Sequence, residues 1–218
     1  MFKNMREPVN GLTHFFAALV AAVGIVALLI LGHGDLGKQV SLIIYGACLV
    51  LLLSASAAYH LYSGKAERLL VLRKLDHSAI YALIAGTYTP ICFNLFSGFW
   101  RWGMLAIIWS LALVGIGVNV FVIKGPRWLT AGIYLVMGWL SLSAIGEMLT
   151  ALPGGALIWL VVGGLFFTAG AVVYITKWMD FVPHVFGFHE VWHIFVILGC
   201  LCHYVVMAAY VARLPRVL

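Results

Sequence analysis

Apolar residues fall along this chain in blocks close to twenty residues long, divided by short polar breaks. Seven blocks are present, at residues 11–32, 40–62, 75–96, 101–123, 129–150, 155–177 and 188–211. A helix rises 1.5 Å per residue, so about twenty residues cross a hydrocarbon core of about 30 Å. Strands of a membrane barrel would instead alternate in polarity over roughly ten residues. The pattern predicts an all-α membrane protein: a seven-transmembrane helix bundle that makes a single domain of residues 1–218. The predicted loops are His33–Gln39, Ser63–Lys74, Ser97–Trp100, Lys124–Trp128, Ala151–Gly154 and Trp178–Gly187. Turn-forming residues mark these breaks: Gly34, Gly37, Gly64, Gly98, Gly125-Pro126, Pro153-Gly154-Gly155 and Pro183. Pro90 falls inside the third block, where a kink is expected.

Composition agrees. Only 9% of the 218 residues are charged, against about 25% in soluble domains. No polar stretch is long enough for a second, soluble domain. Met1 to Asn10 is polar and the block after it is of spanning length, so the N-terminus is expected to remain as a first helix rather than be cleaved as a signal. Glycines at 24, 46, 86, 115, 117, 138, 163, 164 and 199 are expected where helices pack closely. Cys48, Cys92, Cys200 and Cys202 all fall in apolar blocks with no CxxC pair, and are expected to be packing residues without a disulfide.

Charge sets the orientation. Seven spans place the N-terminus with the second, fourth and sixth loops. That side carries Lys3, Arg6, Lys65, Arg68, Arg73, Lys74, Lys124, Arg127 and Lys177, against Lys38, Arg101, Arg213 and Arg216 on the other. The positive-inside rule puts the N-terminus in the cytoplasm and the C-terminus outside. The net charge of +6 is scattered over loops and span ends, which is the signature of topology and not of nucleic-acid binding. Phe99, Trp100, Trp102, Trp128 and Trp178 cluster near span ends, as interfacial aromatics do.

This topology gathers five polar residues. His60 lies at the cytoplasmic end of the second span with Ser56 one turn deeper. Asp76 is in the first turn of the third span, and His189 and His193 open the seventh. Both four-residue spacings stack side chains on one helix face. Ionisable groups in lipid-spanning helices are costly and call for a functional explanation. Three imidazoles form a metal site with His60, His189 and His193 as ligands and a fourth position open, a ligand set that suits zinc. Such zinc lowers the pKa of bound water toward about 7. Asp76 is placed to hold that water and move its proton, and Ser56 to hydrogen-bond a water or a substrate carbonyl. The predicted chemistry is hydrolysis of an amide or ester in a membrane lipid, with the lipid bilayer supplying the substrate.

The string His189-Glu190-Val191-Trp192-His193 also matches HExxH, in which the glutamate is a general base. Only His203 and two buried cysteines follow as possible third ligands, so an intramembrane metalloprotease is disfavoured. His14 is expected to hydrogen-bond Glu7 or Asn10 rather than line the site. His77 should face away from Asp76, and His203, roughly 15 Å along the helix from His193, is too distant to join the ligands. His184 is placed in a loop and His33 at the outer face.

The chain resembles the hemolysin III family, the bacterial branch of the progestin and adipoQ receptor family. The resemblance rests on Glu7-Pro8-Val9-Asn10-Gly11-Leu12-Thr13-His14, Ser56-Ala57-Ala58-Tyr59-His60, Leu75-Asp76-His77-Ser78-Ala79-Ile80, Ala85-Gly86-Thr87-Tyr88-Thr89-Pro90 and the HxxxH at His189 and His193. It covers essentially the whole chain. It implies a multi-pass protein of the bacterial plasma membrane with seven helices and a cytoplasmic N-terminus. It also implies zinc on His60, His189 and His193, with Asp76 holding the water and Ser56 beside it. Eukaryotic relatives are linked to ceramidase-like hydrolysis and hormone responses, bacterial members to membrane lipid homeostasis. A hormone ligand is not expected, because the long N-terminal region of the receptor branch is lacking. Two other functions stay open: a non-enzymatic sensor or regulator stabilised by structural zinc, and a cytolytic pore. The pore is disfavoured, because no line of charges marks a conduit.

Overall fold

A computed structural model describes residues 5–121, 125–182 and 185–217. Lys3, Lys124, Pro183 and His184, which entered the charge count and loop assignments, lie outside the described residues. Among the described residues the chain is helical, with no sheet and one isolated bridge between Val182 and Phe186. The helices are α1 (Pro8–Leu31), α2 (Leu36–Leu61), α3 (Ala66–Leu95), α4 (Gly98–Phe121), α5 (Arg127–Trp139), α6 (Ile145–Ala151), α7 (Gly154–Thr176) and α8 (Phe188–Val206). A 3₁₀ turn, Leu140–Ala144, joins α5 to α6, and a π turn, Met207–Val211, extends α8.

Local chemistry sets the ends. Pro8 opens α1 at a position where its missing N–H costs nothing. The Asp35 side chain caps α2 by accepting from the Lys38 N–H at 3.0 Å. The Glu190 carboxylate accepts the Gly187 N–H at 2.8 Å and so caps the start of α8. At the opposite end, the buried Lys38 ammonium donates to the Leu214 carbonyl at 2.6 Å and the Ala212 carbonyl at 3.4 Å, satisfying groups that the last helix leaves free.

Six helical stretches are long and apolar enough to cross a membrane among the described residues: Pro8–Leu31, Leu36–Leu61, Gly98–Phe121, Arg127–Ala151, Gly154–Thr176 and Phe188–Val211. Their outer faces are apolar; on α1, Phe16, Val20, Val23 and Ile30 are all exposed. The chain is a multi-pass protein of the cell membrane, a helical bundle whose exposed apolar side chains would have no partner in water.

Three expectations are corrected here. The stretch Ser63–Lys74 is mostly helix, because α3 starts at Ala66, not near Leu75. Glu67, Arg68, Leu69, Leu70, Leu72, Arg73 and Lys74 are good helix formers, and charge there stops a hydrophobic count without stopping a helix. The block at 129–150 is not one α-helix but α5, a 3₁₀ turn and α6. The glycines mostly do mark close approaches, but Gly117 and Gly138 have open space where a Cβ would lie.

Packing follows a ring. α3 packs on α2, α2 on α1, α1 on α8, α8 on α7, α7 on α5, and α5 returns to α3, with α4 against α3. α3 holds a central place: Tyr81, Ala85, Gly86, Tyr88, Thr89, Cys92 and Asn94 are buried. A helix walled by other helices can carry Thr, Tyr and Asn that lipid would penalise, and its polar groups find partners. Thr89 Oγ1 donates to the Ala85 carbonyl at 2.9 Å, and Asn94 donates to Ser41 Oγ at 2.8 Å. All four cysteines are free and buried.

Candidate metal centre

α2 and α8 carry the three imidazoles. His60 ends the buried face of α2, one turn beyond Ser56; both are almost fully buried, at 1% and 2% exposure. His189 and His193 lie one turn apart at the start of α8, with His193 3% exposed. The ring of His60 is 5.1 Å from that of His189 and 4.6 Å from that of His193, and the two α8 rings are 5.0 Å apart. One ligand atom from each falls within 4.8 Å of the others, so the cluster could hold a metal ion. Tetrahedral Zn–N bonds of 2.0–2.1 Å place ligand nitrogens about 3.4 Å apart. Side-chain rotation over at most about 1.4 Å closes that difference. The donor set also has the right vacancies. His193 Nδ1 is buried with no hydrogen-bond partner, and the hydrogen bond made by the His60 side chain is at Nδ1.

Ser56 and Asp76 lie together in the wall of a cavity of about 490 Å³ that His189 and His193 also line. α3 brings Asp76 there in its third turn, buried to 9% exposure, beside the Ser56 hydroxyl. Away from this polar end the walls are Leu52, Ile80, Leu83, Ile91, Met104 and Phe167. The space at Gly138 is part of the same cavity. All five residues singled out from the sequence therefore meet at one end of the bundle. His203 borders the cavity too, with its ring 5.4 Å from Phe167 and Nε2 3.4 Å from the Leu160 carbonyl, apart from the triad.

Two histidines depart from expectation. His14 bonds neither Glu7 nor Asn10: its ring lies 4.1 Å from that of His193, tilted by 35°, and both its nitrogens are buried without partners. The first helix turns it into the bundle, where it lines the cavity. His77 borders the same cavity as Asp76, because neighbouring helix positions are about 100° apart and both can border one broad interior.

Glu7 was not singled out by sequence. Its backbone N–H donates to the His60 carbonyl at 3.0 Å and its Oε2 meets His60 Nδ1 at 2.5 Å. Burial alone would raise the Glu7 carboxyl, but the hydrogen bond from His60, with the Arg6 charge, holds it down to about 2. A signal existed: Glu7, Asn10 and His14 are spaced three and four apart, one face of a helix. Glu190 is occupied elsewhere, with Oε1 accepting from Asn10 at 2.8 Å and Oε2 from the Gly187 N–H. Those bonds turn it to a capping role in place of the base that HExxH would make it.

The family model described as "Haemolysin-III related" matches residues 2–204. A "Hemolysin-3 homolog" of Bacillus subtilis (strain 168) is 34% identical over 217 residues, 99% of each chain. "Hemolysin-3" of Bacillus cereus is 34% identical over 214 residues, 93% of each chain. The "Heptahelical transmembrane protein ADIPOR2" of Oryza sativa subsp. japonica is 30% identical over 194 residues, 80% of this chain and 82% of its own. With a match over nearly its whole length and a membrane bundle built around the histidine cluster, this chain belongs to the haemolysin III-related family, the bacterial branch of the progestin and adipoQ receptor family.

Proposed function

We propose that this protein is a zinc-dependent hydrolase of a membrane lipid amide or ester, acting in membrane lipid homeostasis. The observation that carries the proposal is the opening of one cavity onto both a histidine-rich polar end and a long apolar wall. A volume of about 490 Å³ is in the range of small-molecule sites, and the apolar wall suits an acyl chain.

His60, His189 and His193 would hold the zinc. When bound, it supplies Lewis acidity, polarising a carbonyl and making a nucleophile available from water near neutral pH. Asp76 holds the attacking water, takes its proton and returns it to the departing amine or alcohol. Ser56 donates a hydrogen bond to the carbonyl oxygen. The apolar wall keeps bulk water from the reacting bond.

The same proposal includes seven spans, with α3 added as the third in chain order to the six above, and the N-terminus in the cytoplasm. α3 is long enough at 30 residues, and its modest hydropathy follows from its central position. The nine-to-four distribution of basic residues supports the orientation, and the name of the rice relative, "heptahelical", supports the count. A cytolytic pore, suggested by the names of the Bacillus relatives, finds less support in a cavity with mostly apolar walls.

The test is release of free fatty acid from a panel of amide- and ester-linked lipids by zinc-loaded protein in vesicles. An inert protein with zinc bound overturns the proposal. The competing function, structural zinc fastening α2 to α8 in a sensor, is separated by Asp76→Asn. Loss of hydrolysis with zinc retained favours the enzyme, and unchanged biological activity beside an unfolded His60→Ala favours the sensor.

A further inference from the structure

We propose that Glu7 is a positioning residue of the metal centre: it holds His60 by Nδ1 and so makes Nε2 the nitrogen presented to the metal. The proposal rests on the triad binding zinc, as argued above, and extends it to a residue outside the spans.

Glu7 grips the same residue twice. The Glu7 N–H donates to the His60 carbonyl at 3.0 Å, and the Glu7 carboxylate meets His60 Nδ1 at 2.5 Å. A main-chain bond and a side-chain bond to one residue fix both the approach of the pre-helical segment and the ring it contacts. The neutral imidazole that donates at Nδ1 has its lone pair on Nε2. A carboxylate behind a ligating imidazole sets its tautomer, fixes its orientation and raises its basicity.

The segment around Glu7 is itself held. Arg6 Nε lies 3.2 Å from Glu7 Oε1, and the Arg6 guanidinium lies 4.1 Å from the centre of the Tyr59 ring. Tyr59 in turn stands edge-on to His60 at 4.8 Å. Asn10 Nδ2 reaches Glu7 Oε2 at 3.4 Å and Glu190 Oε1 at 2.8 Å. Glu190 Oε2 accepts the N–H of Gly187, two residues before His189. One continuous polar chain therefore runs from the α2 ligand, through Glu7, Asn10 and Glu190, to the turn that starts the α8 ligand pair. Side chains from the N-terminal segment couple two ligand-bearing helices without offering a ligand atom to the triad.

The experiment measures zinc affinity by chelator competition on full-length purified protein, with thermal unfolding of the zinc-free form alongside. Glu7→Ala is expected to weaken zinc binding by about 10–100-fold. Glu7→Gln keeps an oxygen for Nδ1–H and is expected to recover part of that loss. Glu190→Gln, whose carboxylate contacts Asn10 and Gly187, is expected to bind zinc more tightly than Glu7→Ala. Wild-type affinity in Glu7→Ala overturns the proposal, as does an equal loss in Glu7→Ala and Glu7→Gln matched by equal destabilisation of their zinc-free forms, since the segment would then be a strap only. Wild-type protein that binds no zinc, as His60→Ala binds none, overturns the metal reading and this proposal with it. Zinc lost in His60→Ala but kept at full affinity in Glu7→Ala overturns this proposal alone.

Discussion

Tyr88→Phe tests how the bundle tolerates a broken helix beside its cavity. The α5 helix ends at Trp139 and passes into a 3₁₀ turn at Leu140–Ala144. Backbone carbonyls at such a break lose regular partners, and inside a membrane no bulk water replaces them. Tyr88 reaches across from α3 and its hydroxyl lies 2.8 Å from the Met137 carbonyl and 2.9 Å from the Gly138 carbonyl. One O–H proton is shared between the two, so the hydroxyl counts as a single bond. Gly138 also accepts from Ser141 Oγ at 3.2 Å, which leaves Met137 as the carbonyl most dependent on Tyr88. The substitution keeps the ring and removes only the donor. The expected cost runs from a net hydrogen bond to a left-over buried acceptor, about 1–3 kcal/mol. For a chain of this size each kcal/mol moves the midpoint by about 2–4 °C, so Tm should fall by about 2–12 °C. The four buried free thiols, Cys48, Cys92, Cys200 and Cys202, supply the assay, because a thiol-reactive fluorophore labels them as the bundle opens. Zinc affinity should not change. A midpoint within about 1 °C of wild type would refute the claim that this hydroxyl satisfies the break.

Other outcomes follow from the same contacts. Removing zinc with a chelator should lower Tm, and zinc restored to 100 times its Kd should return about 2.7 kcal/mol; His193→Ala should show no such response in a thermal scan. Gly86→Ala would bring a Cβ to 2.9 Å from Cys48 Cβ and Sγ where α2 crosses α3, so a loss of about 1–3 kcal/mol is expected, and an unchanged midpoint would show that the crossing can open freely. The Asp35 carboxyl is held below its ordinary value by its hydrogen bond to Arg216, then by the Lys38 N–H. The stability from that pairing is present above the ordinary carboxylate pKa and is lost as pH falls through the depressed one. Limited proteolysis of the C-terminal residues should therefore increase on acidification, and Asp35→Asn should remove that part of the pH dependence.

The polar end of the bundle could be read from residue types alone, and for a physical reason. A histidine or aspartate in an apolar helix is rare because it is costly, so each stands out, and four-residue spacing on a helix leaves little freedom in where it points. His60, His189 and His193 were legible in that way, and Asp76 and Ser56 with them. Glu7 was harder to read, because a carboxylate in a polar segment costs nothing to expose, and its one signal, the three- and four-residue spacing to Asn10 and His14, does not name His60 as its partner. His14 was misjudged for the same reason: which neighbour an imidazole meets is settled by how α1 packs on α8, not by what lies near it in sequence.

By itself, then, the sequence determined that this is a membrane helical bundle and which residues gather at its polar end, because the cost of placing polar groups in lipid is written position by position. Tertiary structure decided what local pattern cannot encode. It packed α3 against α2, α4 and α5, which lets that helix be less apolar than its neighbours. It ran α3 back to Ala66, broke the fifth block at Leu140, and opened the cavity between the histidines and the apolar wall. It also turned Glu190 away as a cap and brought Glu7 behind His60, a pairing 53 residues apart that exists only once α1 and α2 have packed.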